Sequence, residues 1–195
     1  MRKILVTGFE PFSPSTLNPS GEIIKALQAP DLVTEILPVV FGKATLRVVE
    51  LIELHEPYAV LCLGQAAGRY DVTPERVAVN FKDAPIADNE GNVPRAQRII
   101  DGAPDGYFST LPIELMVEEM KKQGIPASIS LSAGTFVCND LFYAIQHFLK
   151  GSEVRSGFMH VPLMDEQRHE FPNVPTMPLK QLIASVEAVL NVLRI

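Results

Sequence analysis

Short aliphatic and β-branched runs alternate along the chain with longer stretches in which apolar residues recur at helical spacing. The compact runs end at Gly, Pro or polar residues and predict strands over 3–7, 34–40, 58–64, 76–81, 128–132 and 158–162. The helical spacing predicts helices over 19–27, 43–54, 112–123, 139–150 and 180–193. Asn18-Pro19 is a cap followed by proline at the first helical position, Gly124-Ile125-Pro126 is a stop, and Glu118 and Lys122 make an i,i+4 pair. This alternation describes an α/β domain, a sheet with helices on both faces. Residues 82–107 follow neither period, because Asp, Asn, Gly and Pro recur through them; they predict a long ordered loop at a site rim or subunit contact. A second irregular stretch, 164–178, joins the last strand to the final helix. No repeat, low-complexity tract or linker divides the chain, so 1–195 is expected to form one domain.

Seventeen Lys and Arg against 23 Asp and Glu give a net charge of −6, and there is no basic tract. That balance excludes the electrostatic footprint of a nucleic-acid binder. Apolar runs such as 4–6 and 58–63 fall far short of the roughly 20 residues that span a bilayer. The start, Met1-Arg2-Lys3-Ile4-Leu5-Val6-Thr7-Gly8, reads as a strand rather than a signal peptide. Two cysteines, Cys62 and Cys138, make neither a disulfide scaffold nor a zinc cluster, which suits a reducing cytoplasm. Walker, Gly-x-Gly-x-x-Gly, His-Glu-x-x-His and EF-hand patterns are missing, so the expected chemistry uses ordinary side chains, with no cofactor and no metal.

Cys138 lies between Ser132-Ala133-Gly134-Thr135-Phe136-Val137 and a helical run opening at Asn139, a strand-to-helix junction. The N–H groups and dipole of a helix start favour a thiolate and can receive an oxyanion. A small buried cysteine at a helix base is an equally good reading at this point. Cys62, among Val60, Leu61, Leu63 and Gly64, reads as core. His160, near the carboxyl end of a predicted strand, is the best-placed base for a cysteine nucleophile, the alternative being a satisfied core histidine. His147 is nine residues along the helix from Cys138, about 13 Å of rise, and is read as packing. His55 suits a helix carboxyl terminus, and His169 in its polar loop receives no role. Carboxylates are too numerous for spacing to choose an orienting acid. Glu75 is singled out because it begins an apolar strand beside the long loop, against the plainer reading of a surface ion pair with Arg76 or another partner.

Several segments in register carry a resemblance: Thr7-Gly8-Phe9-Glu10-Pro11-Phe12 with Asn18-Pro19-Ser20, Gly64-Gln65-Ala66-Ala67-Gly68-Arg69, Thr73-Pro74-Glu75-Arg76-Val77-Ala78-Val79-Asn80, Asp88-Asn89-Glu90-Gly91-Asn92, Ala133-Gly134-Thr135-Phe136-Val137-Cys138-Asn139 and Phe158-Met159-His160-Val161-Pro162. Together they resemble the pyroglutamyl peptidase type I (pyrrolidone-carboxylate peptidase) family. The resemblance implies a three-layer α/β/α sandwich with a mixed central sheet, similar to purine nucleoside phosphorylases. It implies a thiol peptidase that removes N-terminal pyroglutamate from peptides through a thioester, with Cys138 as nucleophile, His160 as base and then acid, and Glu75 orienting His160. It also implies a cytoplasmic homo-oligomer, dimer or tetramer, that needs no metal.

By the same resemblance Phe9 and Phe12 grip the flat lactam ring, Asn18 and the backbone at Gln65 hydrogen-bond its amide edge, and Phe136 and Val137 belong to the pocket wall. Core packing is the plainer reading of the two phenylalanines. Two departures stand out. Ser13-Pro14 replaces the common Gly-Gly, which is expected to reshape the flap over the ring. Pro85 stands where the family commonly has arginine, and proline brings neither charge nor N–H to the loop. The alternatives this opens are another cysteine amidohydrolase on the same scaffold and a lactam-binding homologue with weak turnover.

Overall fold

The computed structural model describes residues 2–12 and 14–195. In chain order the elements are β1 (Ile4–Phe9), α1 (Pro19–Ala26), β2 (Leu32–Leu37), α2 (Lys43–His55), β3 (Ala59–Gln65), β4 (Thr73–Pro74), β5 (Val77–Val79), β6 (Gly106–Phe108), α3 (Ile113–Lys122), α4 (Val137–Phe148), β7 (Arg155–Val161), β8 (Leu163–Met164), a 3₁₀ turn (Asp165–Gln167), β9 (Thr176–Met177) and α5 (Leu179–Leu193). The central sheet runs β2-β1-β3-β7-β4. Its first four strands are parallel and β4 is antiparallel to β7, so the sheet is mixed.

Alternation along the strands sorts the core into two layers. Ile4, Val6, Leu61, Leu63, Met159 and Val161 pack with Ile23 of α1, Met116 of α3 and Val186 of α5. Leu5, Phe9, Val60, Cys62 and Phe158 face the other way, against Val48 of α2 and Leu141 and Phe142 of α4. The outcome is the expected α/β/α sandwich, with α1, α3 and α5 on one face and α2 and α4 on the other. Asn18 caps α1 as predicted, its Oδ1 accepting from the Ser20 N–H at 3.1 Å.

Four details differ from the sequence reading. The predicted strand 76–81 contracts to β5 and pairs with β6, which lies at the end of the stretch read as loop, in a two-stranded sheet of its own. The predicted strand 128–132 makes only isolated bridges, Ala127 with Val72 and Ser130 with Glu75. Its ladder is nonetheless visible: Val72 donates to Pro126, Ser128 to Val72, Ser130 to Pro74 and Arg76 to Ser130. The missing rung is the one Pro74 would donate, and proline has no N–H. Helix α4 begins at Val137, two residues earlier than predicted, which puts Cys138 inside its first turn, after a loop rather than a strand. Lys122 pairs with Glu119 at 3.7 Å rather than with Glu118.

Candidate active site

The carboxyl ends of β1, β3 and β7 meet at one edge of the sheet, where open parallel sheets leave a crevice. The β1–β3 ladder stops at Thr7–Cys62, while β3 continues to Gln65. A cavity of about 340 Å³ occupies this edge; Phe9, Phe12, Asn18, Val39, Gln65 and Phe136 are part of its lining, and Cys138 and His160 also face it.

Strand register brings the reactive groups together. His160 of β7 pairs with Gly64 of β3, so the two point to the same face of the sheet. Gly64 is where the thiol rests: a Cβ there would stand 2.9 Å from Cys138 Sγ and 2.8 Å from Phe158 Cζ. On the far side of the imidazole, His160 Nδ1 is 2.7 Å from Glu75 Oε1, and Glu75 is completely buried. A carboxylate only accepts, so Nδ1 carries the proton it donates and Nε2 is the nitrogen left to act as base. Phe158 stacks beside the ring with centroids 4.8 Å apart.

Electrostatics define the resting state. Burial pushes the Glu75 carboxyl up, but the hydrogen bond and charge of His160, followed by the Ser130 hydroxyl and the charge of Arg69, outweigh it, and the group lies below its usual range. Burial lowers the His160 imidazole; Glu75 opposes this without cancelling it. Burial, reinforced by the Glu75 charge, pushes the Cys138 thiol up to about 12. At neutral pH the site therefore rests as thiol, neutral imidazole and carboxylate. This corrects the expectation that the helix start favours a resting thiolate: desolvation is the larger effect. Burial also takes Cys62 to about 12, so the two thiols differ in access rather than acidity. Cys62 is 2% exposed, whereas Cys138 is half-buried at the pocket. Phe136 caps α4 without a side-chain hydrogen bond, leaving the N–H groups of the first turn around Cys138 without a side-chain acceptor.

A sequence profile of pyroglutamyl peptidases matches residues 2–194. The chain belongs to the pyroglutamyl peptidase family. It is 49% identical over 187 residues to a pyrrolidone-carboxylate peptidase of Aliivibrio fischeri, covering 93% of this chain and 88% of that one. A counterpart from Bacillus mycoides is 40% identical over 199 residues, covering 98% and 93%. The crystal structure of pyroglutamyl peptidase I from Bacillus amyloliquefaciens superposes with a TM-score of 0.94 at 41% identity, covering 98% of this chain and 94% of that one. A variant of the Pyrococcus furiosus pyrrolidone carboxyl peptidase gives 0.91 at 38% identity and 97% of both chains.

The cavity of this pyroglutamyl peptidase family member refines several sequence expectations. Phe9 both lines the cavity and belongs to the core, 2% exposed and 6.5 Å from Phe158 between ring centroids. Phe12, Phe136 and Phe41 form an aromatic chain with centroids 6.1 and 5.3 Å apart. Val137 is buried in the wall. Asn18 Oδ1 is spent on the Ser20 N–H and hydroxyl, and Nδ2 donates to the Glu10 carbonyl, so its remaining capacity is one Nδ2 hydrogen. Gln65 Oε1 accepts from the fully buried Gln167. Glu75 is paired with Arg69 and His160, while Arg76 reaches Glu114. His147 meets the Tyr107 hydroxyl at 2.8 Å, away from the pocket. Pro85 is exposed and outside the cavity lining, and of the Ser13-Pro14 departure Ser13 lies outside the described residues. The 82–107 stretch stands behind the rim: Asp83 exchanges hydrogen bonds with Thr135, and Asp88 accepts from Phe41.

Sequence reasoning missed Asn139 and Arg69. Asn139 accepts from the Val79 N–H and donates to the Val79 and Phe81 carbonyls, fastening the start of α4 to β5. It adjoins Cys138, but a polar residue in a first helical turn gives no sign of so distant a partner. Arg69 faces the cavity and bonds Glu75; the spacing of the two, six apart across a turn, is no periodic signal.

Proposed function

We propose that this chain, acting as one domain, removes the N-terminal pyroglutamyl residue from peptides, with Cys138 as nucleophile, His160 as base and acid, and Glu75 as the orienting acid. The observation that carries the reading is the buried 2.7 Å Glu75–His160 contact beside a thiol seated on Gly64, at the floor of an aromatic cavity. The lining supports the substrate class. No Asp or Glu is among the described residues that line it, so the ammonium of an ordinary N-terminus finds no counterion there. A lactam is flat and uncharged, and aromatic faces with a few polar edges suit it.

In the first step the Cys138 Sγ–H proton passes to His160 Nε2 as sulfur attacks the pyroglutamyl carbonyl carbon. The oxyanion is received by N–H groups of the first turn of α4, and the imidazolium by Glu75. The C–N bond breaks, His160 returns the proton to the leaving amine, and a pyroglutamyl thioester remains. Water then gives a proton to His160 and its hydroxide to the acyl carbon; the C–S bond breaks, free pyroglutamate leaves, and His160 returns the proton to the departing sulfur of Cys138. A cytoplasmic dimer or tetramer accompanies this reading; exposed Phe108 and Val79 on the β6–β5 ribbon are apolar surface that a second copy would cover.

The test is release of a fluorescent amine from its pyroglutamyl amide in reducing buffer without metal, for the natural chain and Cys138→Ala. Turnover by the natural chain alone is expected. Equal turnover by Cys138→Ala would overturn the mechanism, and turnover of a prolyl amide in preference to the lactam would overturn the substrate.

A further inference from the structure

Glu75 has two oxygens in a fully buried site, and they are treated unequally. Oε1 receives both His160 Nδ1, at 2.7 Å, and Arg69 Nη1, at 2.6 Å, whereas Oε2 makes no well-formed hydrogen bond, the nearby Ser130 hydroxyl donating instead to the Ser132 carbonyl. Burying a carboxylate is costly unless a charge and hydrogen bonds compensate it. The titratable groups facing it are His160 from β7, Arg69 from the turn after β3, and Cys138 from α4. His160 and Cys138 rest neutral, so Arg69 is the cation that balances the carboxylate.

Arg69 does more than neutralise. The same Nη1 bonds the Thr73 hydroxyl of β4, and Nη2 donates to the Ser132 carbonyl at 2.9 Å. Ser132 lines the cavity and opens the stretch that leads into α4 and Cys138. One planar guanidinium thus joins β4, the acid and the pocket wall. An ammonium, a point charge without a fork, does not span three acceptors in this way.

We propose that Arg69 is a positioning residue of the Cys138–His160–Glu75 site, holding the Glu75 carboxylate on His160 and coupling that acid to the wall loop that leads into α4 and the nucleophile. The inference rests on the reading of the site given above. Without Arg69 the carboxylate is free to turn its unpartnered oxygen toward His160, and the imidazolium loses a repelling neighbour.

The experiment compares the full chain with Arg69→Met and Arg69→Lys. kcat and KM for the pyroglutamyl amide are followed across pH, together with the pH dependence of Cys138 alkylation by iodoacetamide in a Cys62→Ala background. Arg69→Met should lower kcat on the order of 100-fold, the size expected when a reacting group is misplaced by about 1 Å, with little change in KM. Its acid limb should move to higher pH in both readouts, because removal of the cation raises His160. Arg69→Lys should return the limb toward its original position while recovering only part of kcat. An unshifted limb in Arg69→Met, or a lysine variant no better than the methionine one, overturns the proposal. Should Arg69→Met not fold, a lysine variant with full kcat and an unchanged thermal midpoint overturns it. Alkylation needs no substrate, so it decides the role of Arg69 even if the natural chain releases no amine, an outcome that counts against the proposed reaction alone.

Discussion

Gly64→Ala isolates the seat of Cys138, the proposed nucleophile, with one methyl group. Gly64 has no positive φ, so alanine is conformationally acceptable and the perturbation is steric. The new Cβ would stand 2.9 Å from Cys138 Sγ and 2.8 and 2.9 Å from Phe158 Cζ and Cε1. Optimal non-bonded separations are about 3.5–4.0 Å, so the sulfur must retreat by about 0.6–1.1 Å or the Phe158 ring must move. Phe158 is 1% exposed and sits among Phe9, Phe142 and His160, which makes the thiol the freer partner. Overpacking of this kind costs about 1–3 kcal/mol. For a chain of this size that is roughly 2–12 °C in thermal midpoint. A 1 Å misplacement of a reacting atom costs on the order of 100-fold in rate, so kcat/KM should fall by about that factor in folded protein.

Gly157→Ala is the matched control. It too lies in the central sheet, and its Cβ would meet Leu111 Cδ1 at 2.8 Å and the Ser109 hydroxyl, away from the cavity. It should lose comparable stability yet keep kcat/KM per folded molecule. The assays are thermal unfolding and amidase kinetics on both variants. If Gly64→Ala keeps its activity, or if both variants lose activity in proportion to unfolded protein, the reasoning is refuted.

Cys138→Ala should abolish turnover with the fold retained while Cys62→Ala stays active, and iodoacetamide should label Cys138 well before Cys62 in folded protein; equal labelling rates would contradict the accessibility argument. Both thiols rise from 9.0 to about 12 on folding, so their contribution is intact below pH 9 and is lost as pH climbs toward 12, where the unfolded chain ionises first. Denaturant unfolding should show stability declining over that window by up to about 1.4 kcal/mol per pH unit per thiol, with a shallower slope in Cys62→Ala. Asn18→Ala removes the cap of α1 and the anchor to the Glu10 carbonyl; about 1 kcal/mol of stability should go, KM should rise, and an unmoved midpoint together with an unmoved KM would refute both roles.

The central strands and all five helices were legible because each satisfies a single strong pattern: an apolar run buried on both faces, or an apolar stripe at helical spacing, which in α1 also carries a recognisable cap. What escaped depends on partners distant in sequence. The segment at 128–132 has strand composition but faces Pro74, whose missing N–H removes the rung that would have completed the ladder. The plainer reading of Glu75, an ion pair with Arg76 or another partner, leaves that partner open, and only the fold shows Arg69 bending back to it while Arg76 turns to α3. The two readings of Cys138, activated thiolate and buried cysteine, stay level in the sequence for a related reason. A helix start is readable from sequence, whereas the desolvation that overrides it is set by walls drawn from other segments.

Core and site are nevertheless one pattern. Leu61 and Leu63 of β3 and Met159 and Val161 of β7 must face the layer formed by α1, α3 and α5. Period-two alternation then sends Cys62, Gly64, Phe158 and His160 to the opposite face, and the ladder aligns Cys62 with Phe158 and Gly64 with His160. A slip of one residue in β7 would turn His160 into the opposite apolar layer, and one in β3 would bring a side chain to the place where the thiol now rests. The burial of ordinary aliphatic residues thus holds the proposed base, His160, on the face where Cys138 rests, and the site inherits its geometry from the same alternation that builds the sheet.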